Sequence, residues 1–397
     1  MQTLTTTDRT GRTPLLKRFI WSAGLWLCLT LPSAYVVQKF LGTPFLVVYF
    51  LMAAILSAVL PYIRFELSEG TSRLLVVITL AILILTFAYL YPRANVQSGN
   101  MGSDDDDALN IAVSELWHAH YPYYARTYLG NVIHHLPGAF LINAPFVFLG
   151  SSALQNLLWL ALFFVVLRKE LHTTFRAWRW LLILLTLSPI VLHQLVTGTE
   201  HFGNALYVLI ALWWLFRARR KMVPAIAFGL VLSSRANFLF LLPLAFGCSQ
   251  QREGWRTSLR WIFITIMTFA LITLPFYFYD PEGFSPLHAA NRLTRFDHLL
   301  PHAALIVMCG MAMLSAALGF ARLRSAASMW SRCALVQAFP VIVGAILGGG
   351  LLYLSYGTFF LPFGILAAAF SEPGSEYKRE KTANRRPLPL GANQTSM

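Results

Sequence analysis

Four consecutive carboxylates, Asp104 to Asp107, are the densest chemistry-bearing run in the 397-residue chain. Adjacent like charges repel, so the run must stay solvated, share a cation or serve a purpose such as general-base catalysis. One or two of these acids also suit the N-terminus of the helix that follows, where Asp caps free amides and meets the positive end of the helix dipole. Arg235 interrupts an apolar stretch within Ser233-Ser234-Arg235-Ala236-Asn237. A guanidinium there costs about 3 kcal/mol unless it reaches the interface or an anion. A lipid phosphate held bidentately would supply that anion; interfacial snorkelling is the bland alternative. Glu200 and His201 stand where two apolar segments meet, and the carboxylate is a candidate second acid or orienting group. His134 and His135 are candidate contacts to donor or acceptor. A divalent metal, Mg or Mn, is the cofactor such a set allows, with Asp105 and Glu200 as its candidate ligands. Arg292 and Arg295 are further candidates for phosphate, and Tyr121 and Tyr123 suit contacts in the headgroup layer.

The elements that must position these residues are apolar helices. A spanning helix needs about 20 mostly apolar residues. Segments of that kind run over 18–38, 44–63, 73–91, 152–168, 180–197, 203–217, 261–279, 302–320, 333–353 and 355–371. The stretch 223–247 lies between two basic clusters, so both of its ends belong on one side of the membrane. A hairpin of two short helices, 223–232 and 238–247, satisfies that, with Arg235 at its turn. The expected architecture is therefore an all-α polytopic membrane protein of about twelve segments. It has a cytoplasmic tail at 1–17, a transmembrane domain at 18–371 and a cytoplasmic tail at 372–397, whose polar composition predicts disorder. The first apolar run resembles a signal peptide without a convincing cleavage site, and is expected to be retained.

Composition agrees with this layout. The chain is 57% hydrophobic and 12% charged, with mean hydropathy +0.59, against roughly a quarter charged in soluble domains. The net charge of +14 does not imply nucleic acid, because the basic residues fall in bursts between apolar runs. With both termini in the cytoplasm, all Lys and Arg lie on the cytoplasmic side except Lys39, Arg93, Arg126, Arg235, Arg292 and Arg295. Nine of the ten histidines and the acidic run fall on the opposite side. Chemistry is thus expected at outer loops spanning 92–151, 197–202 and 280–301. The first contains an amphipathic helix with Leu109, Ala112, Val113, Leu116 and Trp117 on one stripe, suited to the membrane interface. The four cysteines lack metal or disulfide spacing and carry no assigned role.

The order of these features resembles the GT-C superfamily of membrane glycosyltransferases. The residues that carry the resemblance are Asp104-Asp105 before a helix containing Ala112, then Tyr121-Pro122-Tyr123 and Leu136-Pro137-Gly138 to Pro145. Gly229-Leu230 to Ser234-Arg235, Leu242-Pro243 and the aromatic run Tyr356 to Pro362 extend it. The resemblance implies transfer of a sugar, with inversion, from a polyprenyl-phosphate donor to a glycan, lipid or protein acceptor at the outer face of the inner (plasma) membrane. One of Asp104 to Asp107, with Asp104 or Asp105 foremost, would be the base. Arg235 would balance the leaving phosphate, and Glu200 would orient acceptor or metal. A multi-helix transporter or lipid-linked-sugar flippase is the alternative class. Intramembrane charges lining a central path would favour it, and the sequence instead gathers its polar groups at one face.

Overall fold

The computed structural model describes residues 15–60, 63, 66–95, 103–290 and 294–371. The candidate Arg292, the tail 372–397 and most of 1–17 lie outside the described residues. Among those described, the regular secondary structure is helical, beside one isolated bridge between Arg126 and Val132 in the irregular connection 118–136. The helices in chain order are α1 (Leu15–Thr30), α2 (Ala34–Leu41), α3 (Thr43–Val59), α4 (Glu69–Ala94), α5 (Asp105–Trp117), α6 (Pro137–Phe148) and α7 (Gln155–Leu171). There follow α8 (Thr174–Leu187), α9 (Pro189–Thr197), α10 (His201–Arg217), α11 (Met222–Leu232), α12 (Leu241–Glu253) and α13 (Trp255–Tyr279). The last four are α14 (Ala303–Phe320), α15 (Ala326–Gly344), α16 (Gly350–Leu354) and α17 (Leu361–Phe370).

Two kinds of apolar helix are present. Helix α10 is buried nearly all round, from Phe202 to Leu215, and forms the centre of the bundle. Helices α4 and α13 are equally apolar, yet only 17% of either span is buried within the protein. Leu74, Val77, Ile82 and Leu85 on α4, and Phe263, Leu271 and Phe278 on α13, point away from it. Long helices that expose such a surface require a hydrocarbon solvent, so the chain is an all-α membrane protein.

Each of the twelve expected apolar segments contains helix among the described residues, but six helices there are long and apolar enough to cross a membrane unaided. A seventh span arises if α8 and α9, bent by 80° at Ser188, are counted together. Proline at position 189 removes an amide from the ladder, and the break is repaired by side chains. Tyr49 donates its hydroxyl to the Leu187 carbonyl at 2.7 Å, and the Ile190 amide donates to Ser33 Oγ at 3.3 Å. Helices α3, α6, α11 and α17 are apolar but shorter than a full span. The expected hairpin 223–247 is α11 and α12 joined through a 3-10 turn, Ala236–Phe240, and both arms lean on α13. Thr265 of α13 donates to the Ala225 carbonyl of α11, while its Trp261 donates to Ser249 of α12.

The amphipathic stripe of α5 has a different partner from the one expected. Leu109, Ala112 and Val113 are buried against Phe140 of α6 and against Tyr123, Ile133 and Phe284. Trp117 remains exposed, edge-on to Phe148. The stripe therefore fixes the rotation of α5 against protein, and only its C-terminal end is left for lipid.

Candidate functional site

Two backbone hydrogen bonds set the frame of the site. The amide of Leu136 donates to the Ser234 carbonyl at 3.0 Å, and that of Gly138 to the Ser233 carbonyl at 2.7 Å. Gly138 is required there, because a β-carbon would overlap Ser233. The strap brings the residue before Leu136, which is His135, beside the residue after Ser234, which is Arg235. Tyr123 reinforces it by donating to the His135 carbonyl at 2.8 Å.

Both side chains converge on Glu200, which is fully buried in the turn between α9 and α10. Its Oε1 accepts from both Nε (3.1 Å) and Nη2 of Arg235, contacts His135 Nε2, and accepts from Asn204 Nδ2 at 3.1 Å. Burial alone would raise the Glu200 pKa, but the adjoining His135 and Arg235 hold it well below the usual carboxylate range. The site is thus built on a buried ion pair, whose guanidinium also lies over the Phe359 ring at 5.7 Å.

The four aspartates fan out, as consecutive helical positions must. Asp105 approaches Arg235 Nη2 at 4.0 Å through Oδ1 and His201 Nε2 at 3.5 Å through Oδ2. Asp104 makes no capping bond to α5; its Oδ2 instead accepts from Thr127 Oγ1 at 2.6 Å and Asn131 Nδ2 at 2.8 Å. Asp106 points away from both, fully buried, and accepts from Tyr91 at 2.6 Å and Asn95 at 2.8 Å. Burial pushes its carboxyl up to about 7, against the lowering effect of the Tyr91 hydrogen bond, and Asp107 raises it further. Gly198, at φ +72°, turns the chain over Asp106, where a β-carbon would overlap the carboxylate. Asp107 is buried alongside.

A cavity of about 260 Å³ results, lined by Asp104, Asp105, His134, His135, His201 and Arg235, with Thr127, Asn131 and Tyr356 completing the polar wall. The structure brings together Asp104, Asp105, Glu200, His201, Arg235, His134 and His135 from the expected set. It places others elsewhere. Tyr121 donates to the Phe276 carbonyl at 2.8 Å and lines a separate groove with Pro275 and Tyr279. Tyr123 is buried beneath the His135 strap. Arg295 lies over the rings of Phe296 and Tyr353, outside the cavity lining. Thr127 and Asn131 belong to the small turn closed by the Arg126–Val132 bridge, and nothing in their residue types marks them in a sequence. Among the described residues no group of three His, Cys, Asp or Glu side chains is disposed to hold a metal ion. Between Asp105 and Glu200 lies the Arg235 guanidinium, so these two carboxylates do not form a metal seat.

Comparison of the chain with protein-family models, with curated proteins and with solved structures gave no match. The class of protein, an all-α membrane protein with a polar cavity walled by its loops, rests on the features above.

Proposed function

We propose that the chain is a membrane glycosyltransferase that moves a sugar from a polyprenyl-phosphate donor to an acceptor hydroxyl at the extracytoplasmic face, with inversion. One observation carries this reading: a carboxylate and a guanidinium, Asp105 and Arg235, face each other at 4.0 Å across one cavity. An inverting transfer needs those two groups. Asp105 takes the proton of the acceptor hydroxyl, and that oxygen forms the new bond to the anomeric carbon. The bond from that carbon to the phosphate oxygen breaks, and the electron pair leaves with the phosphate. Arg235 meets the charge that develops there, and a cation fixed in advance is most effective in such a position. Asp104, held by Thr127 and Asn131, directs the acceptor, and Glu200 with His135 keeps the guanidinium oriented.

The test is release of polyprenyl phosphate by purified protein given polyprenyl-phosphate sugars and a mixed acceptor pool. Removing a general base costs roughly 10²–10⁴ in rate, so Asp105→Asn should lose turnover by that factor while inserting normally. Wild-type turnover in an Asp104→Asn/Asp105→Asn double variant would remove the base assignment. No release with any donor, from folded protein, would favour transport or a non-catalytic role.

A further inference from the structure

One cation outside the cavity is built into place with no acidic partner. Arg295 lies over the rings of Phe296 and Tyr353, at 4.9 and 4.7 Å from their centroids, and is exposed. Among the described residues no carboxylate lies within ion-pair distance of it. Tyr353 is itself clamped: a β-carbon at Gly344 or at Gly349 would overlap its ring. The clamp needs a break between α15 and α16. A π-helical turn at Ala345–Gly349 supplies it, with φ +115° at Gly348 and +55° at Gly350. Phe296 meets Tyr353 edge-on at 5.5 Å. The two rings hold the guanidinium while leaving the residue exposed, and its planar N–H fork matches the oxygens of a phosphate or carboxylate.

From Tyr353 a floor of rings leads to the cavity. Tyr356 lies 5.7 Å from Tyr353, and Phe359 stacks 6.4 Å beyond Tyr356 and under Arg235. Tyr356 also lines the cavity and faces His201 at 5.2 Å. The negative face of an aromatic ring suits the polarised C–H bonds on one face of a pyranose, for the same reason that ring edges seek ring faces. Tyr353 is itself buried and serves to seat Arg295, whereas Tyr356 is half-buried and opens on the cavity. We propose that Arg295 and Tyr356 bind a saccharide bearing an acidic group, phosphate or carboxylate, with the acid on Arg295 and a sugar ring over Tyr356. Its role as acceptor rests on the glycosyl-transfer reading; its binding does not.

An anionic phospholipid headgroup offers the same chemistry, and the test separates the two. Protein in phosphatidylcholine nanodiscs is titrated with glucuronate, glucose 6-phosphate and glucose, and binding is read by saturation-transfer NMR. Both acids should bind roughly tenfold or more tightly than glucose, as expected for a charge-assisted fork. Arg295→Gln should bring them to the level of glucose, and Arg295→Lys, which keeps the charge without the planar N–H fork, should fall short of wild type. Equal binding of all three sugars, or acid binding unchanged by Arg295→Gln, would overturn the proposal. Loss of the acid signal on adding phosphatidylglycerol would assign the site to a lipid headgroup and also overturn it. These signals do not depend on turnover. Protein that binds the acids but never releases polyprenyl phosphate would sink the glycosyltransferase reading and leave this site standing.

Discussion

His135 Nε2 and Arg235 Nη2 lie 3.0 Å apart because both reach the same oxygen of Glu200. An imidazole nitrogen cannot donate to the carboxylate and accept from the guanidinium at once. A carboxylate only accepts, so a bond between Nε2 and Oε1 requires the proton on Nε2, and the contact with Arg235 follows from the shared acceptor. Two groups from separate segments are thereby held by a single buried charge.

Removal of that charge should be costly. Breaking a buried pair on one side strands the other ion, at about 3–5 kcal/mol. Glu200→Gln should therefore destabilise the protein by about that amount, and Arg235→Gln similarly. The double variant should cost less than the sum, since neither ion is then left alone. Strictly additive losses in denaturation would show that the two do not act as a pair.

The Asp106 carboxyl gives a pH signature. Its ordinary value is 3.8, and burial raises it to about 7 in the folded chain. The folded state thus holds the proton more tightly than the unfolded state. The stabilisation is full below the unfolded value and is lost as pH rises through about 7. Asp106→Asn should show a smaller fall in Tm between pH 4 and pH 7.5 (roughly the window between the two values). Identical slopes in the two proteins would mean that Asp106 does not titrate there.

Thr127 and Asn131 hold Asp104 from a turn that contributes little to the core. Thr127→Ala or Asn131→Ala should lower turnover by up to about a hundredfold, the order for a group misplaced by about 1 Å, with Tm unchanged. Unaltered turnover would limit Asp104 to a structural part.

Two glycines packed against the site should resist even a methyl group. Gly138→Ala forces the strap off Ser233, and Gly198→Ala meets both Asp106 and an unfavourable φ. Each should destabilise by about 1–3 kcal/mol, the range for overpacking. Gly254→Ala is a control, since its φ is also positive but no atom lies within 4 Å of the added carbon. An equal loss at Gly198 and Gly254 would assign the Gly198 effect to backbone strain alone, and no loss at Gly138 would show that the strap can give.

Charged residues at the edges of apolar segments stand out in a sequence, because each must justify its desolvation. That is why the Asp run, Glu200 and Arg235 were legible. Which aspartates face the cavity was not, since it depends on the rotation of α5, set by Leu109, Ala112 and Val113 packing on α6 and neighbouring loops. The same burial hid the environment of the stripe: its periodicity reads alike whether lipid or protein covers it. The bend at Ser188 was invisible for a related reason. Residues 180–197 are apolar enough for one straight span, and the repair comes from Tyr49 and Ser33, far away in the chain. Tyr121 and Tyr123 looked like ligand contacts by residue type, but their hydroxyls are taken by the carbonyls of Phe276 and His135.

The strap between Leu136–Gly138 and Ser233–Ser234 is made of main-chain atoms only. Its geometry is consequently indifferent to the chemical identity of most side chains along it. Substitutions at Leu136 or Ser234 that fit the space leave the spacing of His135 and Arg235 unchanged, whereas proline at 136 or 138 would delete a donor and open the joint. The peptide backbone thus brings the imidazole and the guanidinium to the same place, Glu200 sets their final separation, and side chains along the strap other than Gly138 can vary without moving the joint.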